Sequence, residues 1–298
     1  MKKLGYVSVD EPFAGLFTQG MVCHETYQTM TGEWVEPVEI VKRGNVATLK
    51  ATNEPITIGP SEKMSKSKKN VVTPSDFIDQ YGADTIRWFM LSDTPPERDV
   101  EWTDEGAEGC WRFVQRIHRL VMEAENLPAP GAKPSNASGA DLELRRATHR
   151  AIQAVSEDLE ALRFNRAVAQ IYTLANAIGS VGTVDGAARR EALEAIVLLS
   201  GPMMPHLAET CWQGLGHKTL VADTPWPKFD PDLVRSDTIT MAVQVNGKRR
   251  GEITVPRGAN DNDVKATALA VEGVVRAMEG KPAKRVIVVP ERIVNIVV

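Results

Sequence analysis

Between Thr73 and Leu215 apolar residues return every three or four positions, interrupted mainly at Gly and Pro, so the middle of the chain is committed to packed helices. Thr73-Pro74-Ser75-Asp76 is a start signal: Thr73 is placed to cap, Pro74 has φ preset, and Asp76 faces the positive helix end. Phe77, Ile78 and Tyr81 form the first stripe, and Gly82 ends it. A second helix through Ile86, Phe89 and Met90 runs to Thr94-Pro95-Pro96. Thr103 then caps a long helix striped by Ala107, Cys110, Trp111, Val114, Ile117 and Val121. Further helices are expected from Asp141 to about Leu162, from Asn165 to a stop at Gly179, from Asp185 to Gly201-Pro202, and from Pro205 through Trp212. Short connections between such helices predict an antiparallel bundle. Trp88, Trp102, Trp111 and Trp212 lie on apolar stripes and are expected in its core, and His206 reads as a packing residue. Pro128-Ala129-Pro130-Gly131 to Ser138-Gly139 reads as a linker.

The flanks follow other rules. Residues 1–72 are β-rich and irregular, with strand-like runs at Val38–Val41 and Ile56–Ile58 and turns at Gly44-Asn45, Asn53-Glu54-Pro55 and Gly59-Pro60. With few long apolar runs, this segment reads as part of a larger domain. After Pro225-Trp226-Pro227 the period becomes two: Ile239, Met241, Val243 and Val245 alternate with polar residues up to the hairpin signal Asn246-Gly247. Ile253 and Val255 continue the returning strand, Asp261 to Glu272 reads as one helix, and strands follow at Arg285–Val289 and Ile293–Val298. The expected fold class is multidomain and mainly α, ending in a small α+β (β-β-α-β-β) domain. The expected divisions are 1–75, 76–235 and 236–298.

A hydrophobic content of 43% excludes wholesale disorder. No apolar run reaches the ~20 residues that span a bilayer, and no apolar stretch follows the basic tip, so neither a membrane helix nor a signal peptide is read. Three scattered cysteines, Cys23, Cys110 and Cys211, fit a reducing cytoplasm better than a disulfide framework. Their spacing offers no zinc site, so no metal is expected in this chain. Charge is uneven: residues 76–237 carry 16 basic and 25 acidic side chains, residues 238–298 carry 10 and 6. A basic tail on an acidic protein points to an anionic partner, or to a solvated face that happens to be basic.

Lys63-Met64-Ser65-Lys66-Ser67-Lys68-Lys69-Asn70 concentrates cations and hydroxyls after a turn-prone entry. Lysine ammoniums are flexible point charges suited to phosphate oxygens and to charge developing on a transferring phosphoryl group. Composition alone favours a solvated lysine loop or a generic polyanion patch. Arg112, Arg116 and Arg119 share one helix face, which by spacing alone reads as a solvated arginine face paired with Glu108 and Glu123.

The order of residues adds a resemblance. Lys63-Met64-Ser65-Lys66-Ser67 resembles the second signature of class I aminoacyl-tRNA synthetases without a mismatch. Phe77-Ile78 to Tyr81-Gly82-Ala83-Asp84-Thr85-Ile86-Arg87 resembles the helix pair after that signature. Pro202-Met203-Met204-Pro205-His206-Leu207-Ala208-Glu209 resembles the anticodon-domain motif of the leucine, isoleucine and valine members. Phe17-Thr18-Gln19-Gly20-Met21-Val22, Trp102 to Phe113, and Val243-Gln244-Val245-Asn246-Gly247-Lys248 with Ile287-Val288-Val289-Pro290 and Asn295-Ile296-Val297 point to bacterial-type leucyl-tRNA synthetases. The resemblance covers essentially the whole chain, yet no His-Ile-Gly-His-like signature occurs among the five histidines, and neither a leucine-binding Rossmann half nor an editing domain has room. The chain therefore resembles the C-terminal third of such an enzyme, and Met1 is expected to fall inside a longer protein.

The resemblance implies a remnant of the class I catalytic domain (1–75), an anticodon-binding bundle (76–235) and a C-terminal tRNA-binding domain (236–298). It implies ATP as substrate, with Mg²⁺ expected in the full enzyme, leucine and tRNA(Leu) as partners, a monomer, and no activity for the fragment alone. Lys66 would contact the triphosphate in the transition state. Lys63, Met64, Ser65 and Ser67 would complete the ATP-binding loop. Arg112, Arg116, Arg119, Lys248, Arg249, Arg250, Lys281, Lys284 and Arg285 would meet tRNA. Gln19 to Val22 would lie near the active site, with Gly20 allowing close approach and Met21 and Val22 packing. The alternatives are a free-standing, non-catalytic tRNA-binding protein and a valine- or isoleucine-type synthetase fragment.

Overall fold

In the computed structural model the β-rich start becomes a five-stranded sheet whose long central strand leads into the lysine segment. The structure describes residues 1–132, 134, 138–235 and 238–298, with Thr238 described by its backbone. They divide into two units, Met1–Phe229 and Asp230–Val298. Part of the expected linker at 128–139, and the division placed after residue 235, fall on or beside residues outside the described set.

The first sheet holds β1 (Val22–Gln28), β2 (Ile40–Arg43), β3 (Val46–Leu49), β4 (Pro55–Lys63) and the two-residue β5 (Val100–Glu101), in the order β2-β3-β4-β1-β5. β1 and β5 pair in parallel and the other neighbours are antiparallel. Tyr27, Val35, Ile40, Ala47 and Ile56 form its small core. Two readings change here. Val38 and Glu39 belong to a 3₁₀ turn at Pro37–Glu39, so β2 starts at Ile40. Gly59-Pro60 is no turn: β4 runs through it, and the register with β1 shifts between Glu25 and Tyr27. Proline is tolerated in a strand at such a bulge. Thr26 fills the irregularity by donating its hydroxyl to the Pro60 carbonyl at 3.1 Å, and a side chain on Gly59 would strike that hydroxyl.

Among the described residues seven α-helices follow in this unit: α1 (Pro74–Tyr81), α2 (Ala83–Ser92), α3 (Asp104–Met122), α4 (Gly139–Glu160), α5 (Phe164–Ser180), α6 (Gly186–Ser200) and α7 (Pro205–Gly214). Thr103 caps α3 by accepting from the Gly106 amide at 3.2 Å. Thr73 occupies the α1 cap position without a side-chain bond, and Gly82 at φ +83 separates α1 from α2. Trp88, Ile117, Val155, Ile171, Leu174, Leu193, Ile196 and Leu199 are buried in one continuous core. Trp88, Trp102 and Trp212 are in that core, but Trp111 is exposed. Phe113 takes the place expected for Trp111. The two residues sit at opposite edges of the α3 stripe, and the Phe113 side is the fully covered one, by Trp88 at 5.2 Å and Tyr172 at 3.8 Å between ring centres, whereas Trp111 meets Tyr81 at 6.0 Å and stays partly open.

His206 is also not a packing residue. Its exposed ring bonds through Nδ1 to Asp84 Oδ1 at 2.9 Å, while Asp84 Oδ2 accepts from the Leu207 amide at 2.6 Å. Met204 at the α7 cap position offers no acceptor, so a carboxylate from α2 caps α7 instead. Arg87 holds the same turn by donating to the Met203 and Pro202 carbonyls at 3.0 and 2.7 Å. Asp84→Ala is expected to lower stability by about 1–2 kcal/mol, the usual worth of a lost cap. A urea midpoint that does not move would contradict this.

The second unit starts with the short α8 (Pro231–Val234) and carries β6 (Thr238–Val245), β7 (Lys248–Pro256), α9 (Asp261–Leu269), α10 (Glu272–Met278), β8 (Arg285–Val289) and β9 (Ile293–Val297). Its sheet order is β7-β6-β9-β8, with β6 and β9 parallel. Asn246 and Gly247, both at positive φ, make the expected hairpin turn. The single helix expected over 261–272 is two. Gly273 lies so close to the Arg250 carbonyl that any Cβ would overlap it, and this packing against β7 restarts the chain as α10. Met241, Val243, Ile253, Val264, Val274, Val294 and Ile296 form the core. Among the described residues no helix is long and apolar enough to cross a membrane.

Candidate active-site loop and basic surfaces

β1 and β4 build the base of the lysine segment. Cys23 pairs with Lys63 and His24 with Glu62, and the Met64 amide donates to the Val22 carbonyl at 3.2 Å as the last rung. Beyond it Ser65 stays extended and caps a single 3₁₀ turn at Lys66–Lys68. Its hydroxyl accepts from the Lys68 amide at 3.3 Å and lies 3.2 Å from the Ser67 hydroxyl. The turn closes when the Lys69 amide donates to the Lys66 carbonyl at 3.3 Å.

Asn70 locks this turn to the sheet. Its side chain is buried, at 1% exposure. The amide oxygen accepts from the Ser65 amide at 2.8 Å, and the amide nitrogen donates to the His24 and Glu62 carbonyls, each at 3.1 Å. One side chain thus ties the turn to both β1 and β4. The sequence named Asn70 as the end of the segment without a role, because no local rule tells that an amide there turns inward.

The lysines divide. Lys68 pairs with Glu62 and lies 5.9 Å from the Trp34 ring centre. Lys63, Lys66 and Lys69 are exposed, with no side-chain hydrogen bond or ion pair among the described residues. Met64 is half-buried against the helical core. Behind the turn, burial and then the nearby Asp99 and Glu101 raise the Cys23 thiol pKa, so it stays a protonated, unreactive thiol. Burial also raises the Glu25 carboxyl, but hydrogen bonds from Lys42 and Tyr27 outweigh it and hold that group below its usual range. The Tyr27 hydroxyl is pushed up by burial and by its bond to Glu25. These shifts describe a supporting wall; the groups able to meet an anion are the three unpaired ammoniums.

Gly20 makes the close approach expected of it, against the Arg98 carbonyl, with its amide donating to the Pro96 carbonyl at 2.8 Å. Val22 packs partly against the core, but Met21 is 43% exposed and does not.

The three α3 arginines diverge in role. Arg112 pairs with Glu108 at 2.8 Å on the open surface. Arg116 donates to Asn176 Oδ1 at 2.7 Å and to the Ala175 carbonyl at 3.1 Å, binding α3 to α5. Arg119 is exposed and, with Arg116, Glu123, Asn176 and Arg189, lines an open cleft of about 620 Å³. Arg189, from α6, is a cation the sequence reading missed, since only the packing of α3, α5 and α6 brings it there.

In the second unit, register gathers the two basic clusters. Lys248 faces Val245, Val245 pairs with Ile296, and Arg285 pairs with Val297. Lys248, Arg249 and Arg250 therefore share one end of the sheet with Lys284 and Arg285, on opposite edge strands about 15 Å apart at ~4.8 Å per strand. Arg249 pairs with Glu252 at 2.7 Å, and Lys281, 3.9 Å from Glu279, lies in the connection leading to β8. Among the described residues no three His, Cys, Asp or Glu side chains are placed to hold a metal ion.

Residues 55–103, which run from β4 through the locked turn to β5, match the class I tRNA synthetases for I, L, M and V. Residues 141–266 match the anticodon-binding domain of tRNA ligases. The leucine–tRNA ligases of Parvibaculum lavamentivorans and Azorhizobium caulinodans are 56% and 52% identical to this protein across all of it. The chain belongs to the leucyl-tRNA synthetase family. It spans only about a third of those relatives, 35% and 36% of their length. The ternary complex of Agrobacterium radiobacter K84 agnB2 LeuRS with tRNA and LeuAMS is a structural neighbour, with a TM-score of 0.70 and 28% identity over 99% of this chain and 35% of that one. In leucyl-tRNA synthetase terms, the signature loop and its Asn70 lock lie inside the class I match, and α3 with its arginines lies between the two matched segments.

Proposed function

We propose that this chain supplies the signature loop and the tRNA-docking surfaces of an enzyme that joins leucine to tRNA(Leu) at the expense of ATP. The observation that carries the reading is the turn itself: unpaired Lys63 and Lys66 on a backbone fixed by Asn70, inside the class I segment. The leucine carboxylate attacks the α-phosphorus of ATP, the bond to pyrophosphate breaks, and negative charge grows on the leaving phosphates. Lys66 stabilises that charge, Lys63 adds to the field, and Ser65 and Ser67 keep the turn in shape. The Ser65 cap and the half-buried Met64 support these anchoring roles. Magnesium accompanies ATP in such chemistry, but the described residues offer no ligand cluster for it, and no step is assigned through it.

In this reading residues 1–75 complete the catalytic domain, 76–235 form the anticodon-binding bundle, and 236–298 form a tRNA-binding domain. Arg112 and Arg119 meet tRNA phosphates from the α3 surface, and Arg116 supports the bundle as well as the cleft. Lys248, Arg249, Arg250, Lys281, Lys284 and Arg285 meet folded RNA through its backbone and shape. The catalytic-family match over the loop favours this over a free-standing RNA binder.

The RNA half is tested by binding. The affinity of the chain for tRNA(Leu) is expected to fall at least tenfold between about 50 and 200 mM salt. Replacing Lys248, Arg249 and Arg250 together by Ala is expected to lower the salt slope by about two, because Arg249 is already paired with Glu252. Salt-independent affinity, or an unchanged slope in the triple variant, would contradict the docking surface.

A further inference from the structure

Lys69 is the residue of the signature turn that its conformation fits least. It closes the 3₁₀ turn at φ +53, in the left-handed region where glycine is free and a side chain bearing Cβ is strained. Its backbone has no freedom to relax, because Asn70, the next residue, is buried and bonded to both strands. Lys69 itself is exposed, and among the described residues its ammonium has no ion pair or hydrogen bond. Its neighbour Lys68 is taken up by Glu62 and Trp34. The turn closes through the Lys69 amide and the Lys66 carbonyl at 3.3 Å, which brings the two residues to the ends of one tight loop. Of the charged residues at positive φ, Lys69, Glu279 and Glu291, the two glutamates are ion-paired, and Lys69 is the one that lies in the class I segment with no such partner among the described residues.

We propose that Lys69 is a further polyphosphate-binding residue, acting beside Lys63 and Lys66 as the third free cation of the turn. The inference rests on the reading of this turn as a triphosphate grip and extends it by one residue. A linear polyphosphate carries charge on each successive phosphate, so a third ammonium at the far end of the turn meets a phosphate that the first two leave uncovered.

The test is an NMR titration of the full 298-residue chain with inorganic tripolyphosphate at low salt. Lys69→Gly is expected to weaken binding about fivefold, as fits the loss of one exposed charge facing several negative ones. Lys69→Arg should keep the affinity within about twofold, since charge is retained. Lys50→Gly, removing another exposed lysine outside the turn, should leave it unchanged. Lys69→Gly should melt no lower than the parent, because glycine relieves the strained φ. The proposal is overturned if Lys66→Ala weakens binding while Lys69→Gly does not, or if Lys50→Gly weakens it as much as Lys69→Gly. If the parent chain does not bind tripolyphosphate at all, the triphosphate reading of the whole turn falls with it.

Discussion

Lys66→Ala, placed in a complete leucine–tRNA ligase assembled around this chain, is expected to slow leucyl-adenylate formation about 100-fold, or ~3 kcal/mol of transition-state stabilisation. The ammonium is free and exposed on a fixed turn, so its removal deletes a charge without disturbing a packed core. The loss should fall on kcat of ATP–pyrophosphate exchange more than on KM, because charge on the leaving phosphates grows only as the bond breaks. Lys68→Ala should cost far less, since that ammonium is engaged by Glu62. Adenylate formation within twofold of the parent after Lys66→Ala would remove the catalytic role from this turn.

Asn70→Ala is expected to destabilise the first unit by about 3 kcal/mol, because it removes the acceptor of the Ser65 amide, takes a second donor from the His24 and Glu62 carbonyls, and leaves a cavity at a buried position. Urea unfolding followed through the first unit measures the loss, and hydrogen exchange at the Ser65 amide localises it. Asn70→Asp separates the two halves of the lock. A carboxylate still accepts from Ser65 but cannot donate to the His24 and Glu62 carbonyls, and it brings an oxygen against each of them. Asp should therefore be no better than Ala. In the complete enzyme both variants should also slow adenylate formation, since the role proposed for Lys66 requires a fixed position. Parent-like stability for Asn70→Asp would show that the donor half of the lock carries nothing.

What the sequence revealed follows the range of the physics involved. The bundle was legible because three-and-four spacing, Gly82, Pro205 and the Thr103 cap are local signals. The hairpin at Asn246-Gly247 was legible for the same reason. Local rules failed where tertiary contacts decide. Gly59-Pro60 signals a turn until Thr26 supplies a bulge for it. Trp111 and Phe113 compete for one stripe until α5 covers one of them. α7 lacks its own cap, and Asp84, far away in sequence, provides it. At the candidate site the cations were readable in order, whereas the division into free and paired lysines needed Glu62 and Asn70 in place. The shared end of the Lys248 and Arg285 clusters likewise required the β7-β6-β9-β8 order, which no local pattern encodes.

The most direct measurement replaces the matching third of the Parvibaculum lavamentivorans leucine–tRNA ligase by this chain and follows the charging of tRNA(Leu) with leucine. At 56% identity across the exchanged segment, a working chimera is expected, within about tenfold of the parent rate and dependent on Lys66. A chimera that folds and binds tRNA but forms no leucyl-adenylate would contradict the account.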